Sequence, residues 1–195
     1  MDDVAQLIEA VNEGDLARVE AIVRAAPGLA RARLPGGESP LMAAVYRGHR
    51  EVAAALLDAG ADVDVFAAAA TGRIDDLGRA LKETGAVRAY AYDGWTPLHL
   101  AAFFGRIDAA RLLLDAGADL HAVSRNSLTN TPLHAAAAGK HSDVALLLLA
   151  RGARSDTADA GGYTPLEIAT QNQLGTVVET MTAAYLRTAI LDPRD

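Results

Sequence analysis

Apolar residues recur at spacings of three and four in short runs along the chain, and each run stops at or near a glycine. The clearest example lies between residues 96 and 117, where the apolar positions form two stripes: Leu98, Ala101 and Ala102, then Ile107, Ala110, Leu113 and Leu114. This spacing places the members of each stripe on one face of a helix. The pattern therefore predicts two short amphipathic helices.

The residues at the ends of the two stripes support this division. Thr96 precedes Pro97, a pair typical of a helix start, because the hydroxyl accepts a hydrogen bond from a free N–H and proline has no N–H to lose. Gly105 permits the left-handed conformation that ends a helix, and Asp108 suits the positive end of the second helix dipole. Gly117 ends that helix. Two helices of this length bury too little core alone, so we expect them to stack on copies of themselves.

Such copies are present. Four segments align, namely SPLMAAVYRG, TPLHLAAFFG, TPLHAAAAGK and TPLEIATQNQ, and their prolines at positions 40, 97, 132 and 165 lie 57, 35 and 33 residues apart. A Gly-Ala pair begins at positions 60, 85, 117 and 152, with gaps of 25, 32 and 35 residues. Both landmarks indicate an internal repeat of about 33 residues.

These segments resemble the ankyrin repeat, whose Thr-Pro-Leu-His-x-Ala signature is present at residues 96–101 and 131–136. The resemblance implies an all-α solenoid of stacked helix pairs with short β-hairpin fingers, in about six units that include the caps. By analogy, residues 1–195 form a single domain with units at 3–30 (the amino-terminal cap), 31–62, 63–86, 87–119, 120–154 and 155–191 (the carboxyl-terminal cap).

Several units depart from this pattern. Unit 63–86 lacks Thr-Pro and about nine residues of the period, which predicts that residues 61–66 cross directly into it without a finger. Unit 120–154 has two extra residues before Thr131. Lys140 and Gln173 stand where other units place the glycine after the first helix, which leaves the geometry of those turns open.

The last unit continues into a longer apolar segment, GTVVETMTAAYLRTAIL. Either this segment packs across the end of the stack, or it forms a dimer contact. The apolar positions that both interpretations involve are Val177, Val178, Met181, Tyr185, Leu186, Ile190 and Leu191.

The composition excludes several classes of function. A net charge of -7 and a pI near 5.2 argue against nucleic acid as a partner, because affinity for nucleic acid comes largely from Lys and Arg. The chain has no cysteine, which removes disulfides, thiolate catalysis and Cys-based zinc sites. The acidic start, MDDVAQLIEAVNEGD, does not fit a signal peptide, and no apolar run reaches membrane-spanning length. A cytoplasmic location without a membrane partner is expected.

The candidate reactive residues do not form a catalytic pattern. None of the common hydrolase, phosphate-binding or zinc-protease motifs is present among the five histidines and their surroundings. His99, His134 and Glu167 each follow a capping threonine by three residues, a capping-box arrangement. The resemblance further implies that His99 and His134 form hydrogen bonds between neighbouring units. We therefore predict no enzyme activity, no metal and no cofactor.

By resemblance, the function is to bind another protein or a peptide on a concave face, which consists of finger tips and the ends of the first helices. The candidate finger contacts are Glu38, Tyr92, Asp93, Trp95, Asn130 and Tyr163. The candidate helix contacts are Tyr46, Arg47, Ala70, Thr71, Phe103, Phe104, Ala138, Gly139, Gln171 and Asn172.

Unit 87–119 concentrates aromatic residues, although aromatics make up only 5% of the chain. Large aromatic residues dominate the energy of protein interfaces, so this unit is the predicted anchor, with Tyr46 and Arg47 as the other wall of a groove. At a finger tip, Trp95 is expected to have little core to enter, and its replacement by alanine to leave the fold intact. Phe103 or Phe104 has an alternative role, which is to fill the space left by the missing finger.

The expected partner has some basic character, because the chain is acidic, and the chain itself is expected to be a monomer. Two other functions remain open at this point. The chain either assembles with itself through its apolar carboxyl-terminal helix or is an enzyme with an unrecognised site.

Overall fold

The computed structural model describes residues 3–34 and 36–191, and over these residues the fold is all-α. Two short 3-10 turns, Pro27–Arg31 and Ala86–Arg88, accompany the helices. No described residue lies in a β-strand. The α-helices of the described residues are α1 Asp3–Glu13, α2 Leu16–Ala25, α3 Pro40–Arg47, α4 Arg50–Asp58, α5 Val65–Thr71, α6 Ile74–Ala80, α7 Pro97–Phe103, α8 Ile107–Asp115, α9 Pro132–Ala138, α10 Ser142–Ala150, α11 Pro165–Gln171 and α12 Gly175–Leu191.

The helices belong to two compact units, Met1–Ala67 and Ala68–Asp195, and α5 runs from the first into the second. In the first unit, α1 packs on α2, α3 packs on α4, and the two pairs stack through α1 against α3 and α2 against α4. Its core is made of side chains with little or no exposure, among them Leu7, Val11, Val19, Leu41 and Leu56.

The second unit repeats the same arrangement. The pairs α7 with α8, α9 with α10 and α11 with α12 stack so that α7, α9 and α11 form one layer and α8, α10 and α12 form the other. Fully buried residues from both layers fill the space between the pairs, among them Leu98, Leu113, Leu133, Leu148 and Met181. Each pair therefore buries its apolar stripe against its neighbours, as the helix spacing predicts.

Short turns occupy the places where β-hairpin fingers were expected. In the turn 91–95, the N–H of Ala91 donates to the carbonyl of Trp95 at 2.8 Å. The turn 159–163 closes in the same way at 2.9 Å, and the turn 124–130 closes through Ser124 and Asn130 at 2.9 Å. We call these three segments the finger turns. A single backbone hydrogen bond between the two ends of each turn is too little to form a ladder, so these segments are turns and not strands.

The passage from α4 to α5 is direct. Residues 59–64 connect the two helices without a finger turn, whereas each of the connections 81–96, 116–131 and 151–164 contains one. The chain therefore omits a finger in the place where the repeat is short by about nine residues. The division into six units with the boundaries given above stays a prediction.

Helix α12 packs on α10 and α11. Val177 and Met181 are fully buried there, whereas Leu186 is 52% exposed. The side chains of Tyr185, Ile190 and Leu191, which belong to the same sequence pattern, lie outside the described residues. None of the helices in the described ranges combines the length and apolar character needed to cross a membrane.

The turns after α9 and α11 keep the geometry of the other units without a glycine. Lys140 has φ 62° and Gln173 has φ 59°, and both values lie in the left-handed region that Gly48 and Gly105 occupy in their units. A side chain in this conformation costs about 1 kcal/mol. The repeat geometry therefore overrides the local preference of the two residues.

We expect Lys140→Gly and Gln173→Gly each to raise the free energy of unfolding by about 0.5–1 kcal/mol, because glycine removes the left-handed strain. Chemical denaturation followed by circular dichroism measures this change. Two opposite substitutions serve as controls. Gly48→Ala adds only the strain, since nothing lies within 4 Å of its Cβ, whereas Gly105→Ala also places a Cβ 2.3 Å from the His141 ring. If Lys140→Gly and Gln173→Gly both lowered the free energy of unfolding, the strain argument would be contradicted.

Candidate binding site

The start of α7 is fixed by a buried threonine and histidine pair. The N–H of Thr96 donates to Nδ1 of His99 at 3.3 Å, and the hydroxyl of Thr96 lies 2.7 Å from the same nitrogen. In return the hydroxyl accepts from the N–H of His99 at 3.4 Å. This is the capping box that the sequence predicts, and both side chains are almost completely buried.

The same imidazole also reaches the next finger turn. Because Nδ1 accepts from a backbone N–H, it carries no proton, so Nε2 bears the hydrogen of the neutral ring. Nε2 then donates to the carbonyl of Asn130 at 3.0 Å. The arrangement recurs one repeat later, where Nε2 of His134 donates to the carbonyl of Tyr163 at 3.0 Å. The bonds between units that the family resemblance implies for these two histidines are confirmed.

Burial sets the protonation state of both rings. It lowers the pKa of His99 to about 4, and it lowers the pKa of His134 as well. In the last unit Glu167 takes the capping role, and its carboxylate accepts from the N–H of Thr164 at 2.7 Å. This backbone hydrogen bond lowers the pKa of Glu167 below its ordinary value.

Trp95 is buried, and the expectation that it has little core to enter is wrong. Only 8% of the residue is exposed, and its indole stacks on the His99 ring with the centroids 6.0 Å apart. Its other neighbour is Phe103, which meets it edge to face at 5.1 Å. The finger turn folds back over the start of α7, so the residue before Thr96 packs on the capping histidine instead of pointing into solvent.

Phe103 and Phe104 extend the ring contacts of Trp95 towards the surface. Both residues are half-buried, and their rings meet edge to face with the centroids 5.1 Å apart. We call Trp95, Phe103 and Phe104 the aromatic cluster. Aromatic pairs in this geometry contribute about 0.5–1.5 kcal/mol beyond their buried area. The cluster is therefore a continuous ring contact with a buried inner member and two partly exposed outer members.

Asn130 is also buried, with 6% exposure, which contradicts its prediction as a finger contact. Its N–H donates to the hydroxyl of Ser124 at 3.0 Å, and its carbonyl accepts from His99. Among the described residues, its side-chain oxygen and the indole N–H of Trp95 are the two buried side-chain polar atoms without a hydrogen-bond partner. Each such atom opposes folding by about 1–3 kcal/mol.

The remaining candidates of the second unit differ in accessibility. Tyr92 is 43% exposed, Tyr163 is 50% exposed and Gln171 is exposed. Asp93 is half-buried, and its carboxylate accepts from the N–H of Trp95 at 3.1 Å. Asn172 is half-buried too, and its amide donates to the carbonyl of Ala137 at 3.0 Å. The side chain of Asn172 therefore braces α11 against α9.

Small residues near the helix ends serve packing. Ala70 is fully buried, and its carbonyl accepts from Nε of Arg106 at 2.9 Å, so it offers no side-chain surface for contact. A Cβ on Gly139 would lie 2.2 Å from the carbonyl oxygen of Phe103. The sequence analysis predicts Ala70 and Gly139 as partner contacts. In the structure, the small size of each residue permits a close approach between neighbouring helices. Thr71 is half-buried and Ala138 is exposed.

In the first unit, Tyr46 and Glu38 are half-buried and Arg47 is exposed. The guanidinium of Arg47 donates to the carbonyl of Ala43 at 3.4 Å, within its own helix. The place of Tyr46 and Arg47 opposite the aromatic cluster stays a prediction.

Two residues that the sequence interpretation missed hold the finger turns together. The amide of Asn126 donates to the carbonyl of Asp93 at 3.0 Å, and the N–H of Arg125 donates to the carbonyl of Gly94 at 2.8 Å. A Cβ on Gly94 would lie 2.7 Å from the N–H nitrogen of Asn126. The Asp-Gly pair before Trp95 was the available signal, since a positive φ of 82° at Gly94 admits this approach. Within residues 3–34 and 36–191, no group of three His, Asp or Glu side chains is placed to hold a metal ion.

Comparison with known families agrees with this geometry. The family described as "Ankyrin repeats (3 copies)" matches residues 7–124, which is more than half of the chain. A second family of the same kind, "Ankyrin repeats (many copies)", matches residues 122–169.

Curated proteins with similar segments are much longer than this chain. Protein phosphatase 1 regulatory subunit 12A of Mus musculus is 33% identical over 89 residues, which are 46% of this chain and 6% of that protein. The Neurogenic locus Notch protein of Drosophila melanogaster is 40% identical over 98 residues, 50% of this chain and 3% of that protein. The Probable E3 ubiquitin-protein ligase XBOS33 of Oryza sativa subsp. japonica is 32% identical over 120 residues, 56% of this chain and 23% of that protein. The matched segments thus span less than a quarter of each relative.

The buried histidines predict that the free energy of unfolding decreases as the pH falls. The unfolded state takes up a proton near pH 6.5 and the folded state takes one up at His99 only near pH 4, so stability is complete above pH 6.5 and is lost as the pH falls between these values. His99 alone should cost about 1 kcal/mol by pH 5.5. Denaturation by urea at several pH values measures this slope. The variant His99→Gln should show a shallower slope, and an unchanged slope would contradict the assignment.

The burial of Trp95 predicts a structural role. We expect Trp95→Ala to lower the free energy of unfolding by about 3–5 kcal/mol, because it leaves a cavity between His99 and Phe103. Trp95→Phe should cost clearly less, since it keeps a ring and removes the unpaired indole N–H. Chemical denaturation of the three proteins compares these values. Equal, small losses in both variants would show that the indole contributes little to the core.

Proposed function

The chain belongs to the ankyrin repeat family, and from this premise we propose that it is a non-catalytic module that binds another protein or a peptide. The proposed surface lies in the second unit and consists of the finger turns and the ends of the first helices. Stacked repeats use extended surfaces of this kind for recognition, and the positions that the packing does not determine are free to specify the partner.

The observation that carries the proposal is the aromatic cluster. Trp95 is buried, Phe103 packs on it edge to face at 5.1 Å, and Phe104 packs on Phe103 in the same way at 5.1 Å. Rings that are already ordered lose little conformational entropy on binding, which favours association. Phe104 is half-buried, so a partner can cover it further. Truncation of an interface aromatic residue of this type often costs about 2 kcal/mol or more.

Exposed polar side chains elsewhere in the second unit supply the polar rim of the proposed surface. Tyr92, Tyr163 and Gln171 are exposed in the same unit of the chain, and each offers a polar group at the end of a side chain. Interfaces combine an apolar centre with such a rim. The net charge of -7 favours encounter with a partner of basic character. A cytoplasmic location and a monomeric state remain part of this proposal.

Self-assembly through α12 is a second candidate, favoured by the exposed Leu186 and by a cavity of about 940 Å³ between α10 and α12. Leu146, Leu149 and Ala183 contribute to its lining. The mass in solution separates the two proposals. A monomer at the concentration used for partner capture contradicts self-assembly, whereas a dimer that Leu186→Glu dissociates supports it.

We expect Phe104→Ala to weaken capture of the partner by about thirty-fold, which corresponds to about 2 kcal/mol. The partner is first recovered from a cell lysate on the immobilised chain and identified by mass spectrometry, and its affinity is then measured by calorimetry. Arg111→Ala is the matched control, because Arg111 is exposed on α8 and lies outside the proposed surface. Equal affinities for wild type and Phe104→Ala, with melting temperatures unchanged, would contradict the proposal.

A further inference from the structure

A cavity of about 570 Å³ lies between the segment that precedes the turn 91–95 and the segment that precedes the turn 124–130. One side is formed by Val87, Arg88 and Tyr90, and the other side contains residues 117–122 and Arg125. We call this cavity the notch. Its volume is within the range of sites that bind small ligands or single peptide side chains. None of the residues of the aromatic cluster lines it.

Two side chains of the notch, Tyr90 and Arg125, are held in place by contacts between its two sides. The hydroxyl of Tyr90 donates to the carbonyl of Val123 at 3.3 Å. The guanidinium carbon of Arg125 lies 3.8 Å above the centre of the Tyr90 ring. A cation in this position is attracted by the ring, and the N–H groups at the edge of the guanidinium remain available to an acceptor.

Arg88 and Arg125 lack the carboxylate partners that eight arginines of the described residues have. In the part of the chain that the structure describes, the arginines with a carboxylate partner are Arg18, Arg24, Arg31, Arg33, Arg73, Arg79, Arg151 and Arg154. Neither Arg88 nor Arg125 forms an ion pair with a described residue. In a chain with more acidic than basic residues, two unpaired guanidinium groups thus share one cavity.

The same cavity occurs one repeat later with different chemistry. A smaller space of about 290 Å³ is lined by residues 33 or 35 positions further along the chain, with His121 in the place of Arg88 and Val123 in the place of Tyr90. Its one arginine, Arg154, stands in the place of Asp119 and is paired with Asp156 at 3.1 Å. The backbone of the repeat therefore provides the space twice, and only the first copy has unpaired cationic groups.

We propose that the notch binds an acidic segment of a partner protein, with an Asp or Glu carboxylate at Arg88 and Arg125 and a neighbouring apolar side chain against Val87 and Leu120. Arginine matches a carboxylate through two parallel hydrogen bonds, which gives both affinity and orientation. Asp119 lies in the same lining. With one carboxylate and two guanidinium groups, the notch has a net charge that suits a singly charged carboxylate better than a doubly charged phosphate.

The site is separate from the aromatic cluster and does not depend on the function proposed for it. The chain as a whole is acidic and favours a basic partner surface, whereas this notch favours an acidic segment. A partner with a basic surface and a short acidic segment would satisfy both.

The test is a titration with a defined probe, the capped tripeptide acetyl-Leu-Asp-Leu-amide, followed by nuclear magnetic resonance of the arginine side-chain Nε–H groups. We expect the signals of Arg88 and Arg125 to move and the signal of Arg111 to stay. The control peptide acetyl-Leu-Asn-Leu-amide keeps the shape and removes the charge, so it should move none of them. Arg88→Gln and Arg125→Gln should each weaken binding by about ten-fold, and Arg111→Gln should leave it unchanged.

Four outcomes would overturn the proposal. The first is the absence of shifts at about 10 mM Asp peptide, where a site of millimolar affinity is occupied. The second is an equal response to the Asn peptide or at Arg111, and the third is tighter binding of inorganic phosphate than of the Asp peptide. The fourth is full affinity in both Gln variants. Phe104→Ala should keep full affinity for the tripeptide, so failure at the notch is distinguishable from failure of the aromatic cluster.

Discussion

A neutral imidazole that donates to the next finger turn is the interaction on which much of the second unit depends. The Nε2 proton of His99 reaches the carbonyl of Asn130, and Nδ1 at the same time holds the start of α7. One ring therefore fixes both the first turn of a helix and the distance to the following finger turn. Trp95 stacks on the His99 ring. The turn 124–130, which the same ring holds through the carbonyl of Asn130, also contains Arg125. Loss of the neutral state disturbs the helix start and the finger turn together.

Whether a helix carries this histidine near its start is related to whether a finger turn follows that helix pair in the chain. Met42 takes its place in α3, and the connection 59–64 that follows the pair has no finger turn to accept a hydrogen bond. Glu167 takes its place in α11, where an ionised carboxylate caps its own helix but has no proton to donate further. Ala67 in α5 has no side-chain donor, although a finger turn follows. Among the described helices the imidazole thus occurs only where a finger turn follows, whereas one finger turn follows a helix that lacks it.

Local signals made the helices and their caps predictable. Thr-Pro at a helix start, glycine at its end and apolar residues at spacings of three and four act within a few residues, so the positions of α7 and α9 follow from the sequence alone. The accessibility of Trp95 and Asn130 did not follow. Trp95 is covered because its own finger turn folds back onto His99 and Phe103. Asn130 is held by His99, which lies 31 positions earlier in the chain. Neither contact leaves a pattern of apolar and polar residues that the sequence alone reveals.

Packing determines the side chains least in the irregular parts of the repeat. The turn 124–130 is two residues longer than the turns 91–95 and 159–163, and this longer turn carries Arg125 to the ring of Tyr90. Regular positions such as Leu98 and Leu133 are constrained by packing in every unit, so they cannot vary with the partner. An extra pair of residues on a surface turn costs little stability. Insertions of this kind let one unit acquire a cationic site while its neighbour, built on the same backbone, pairs its arginine internally.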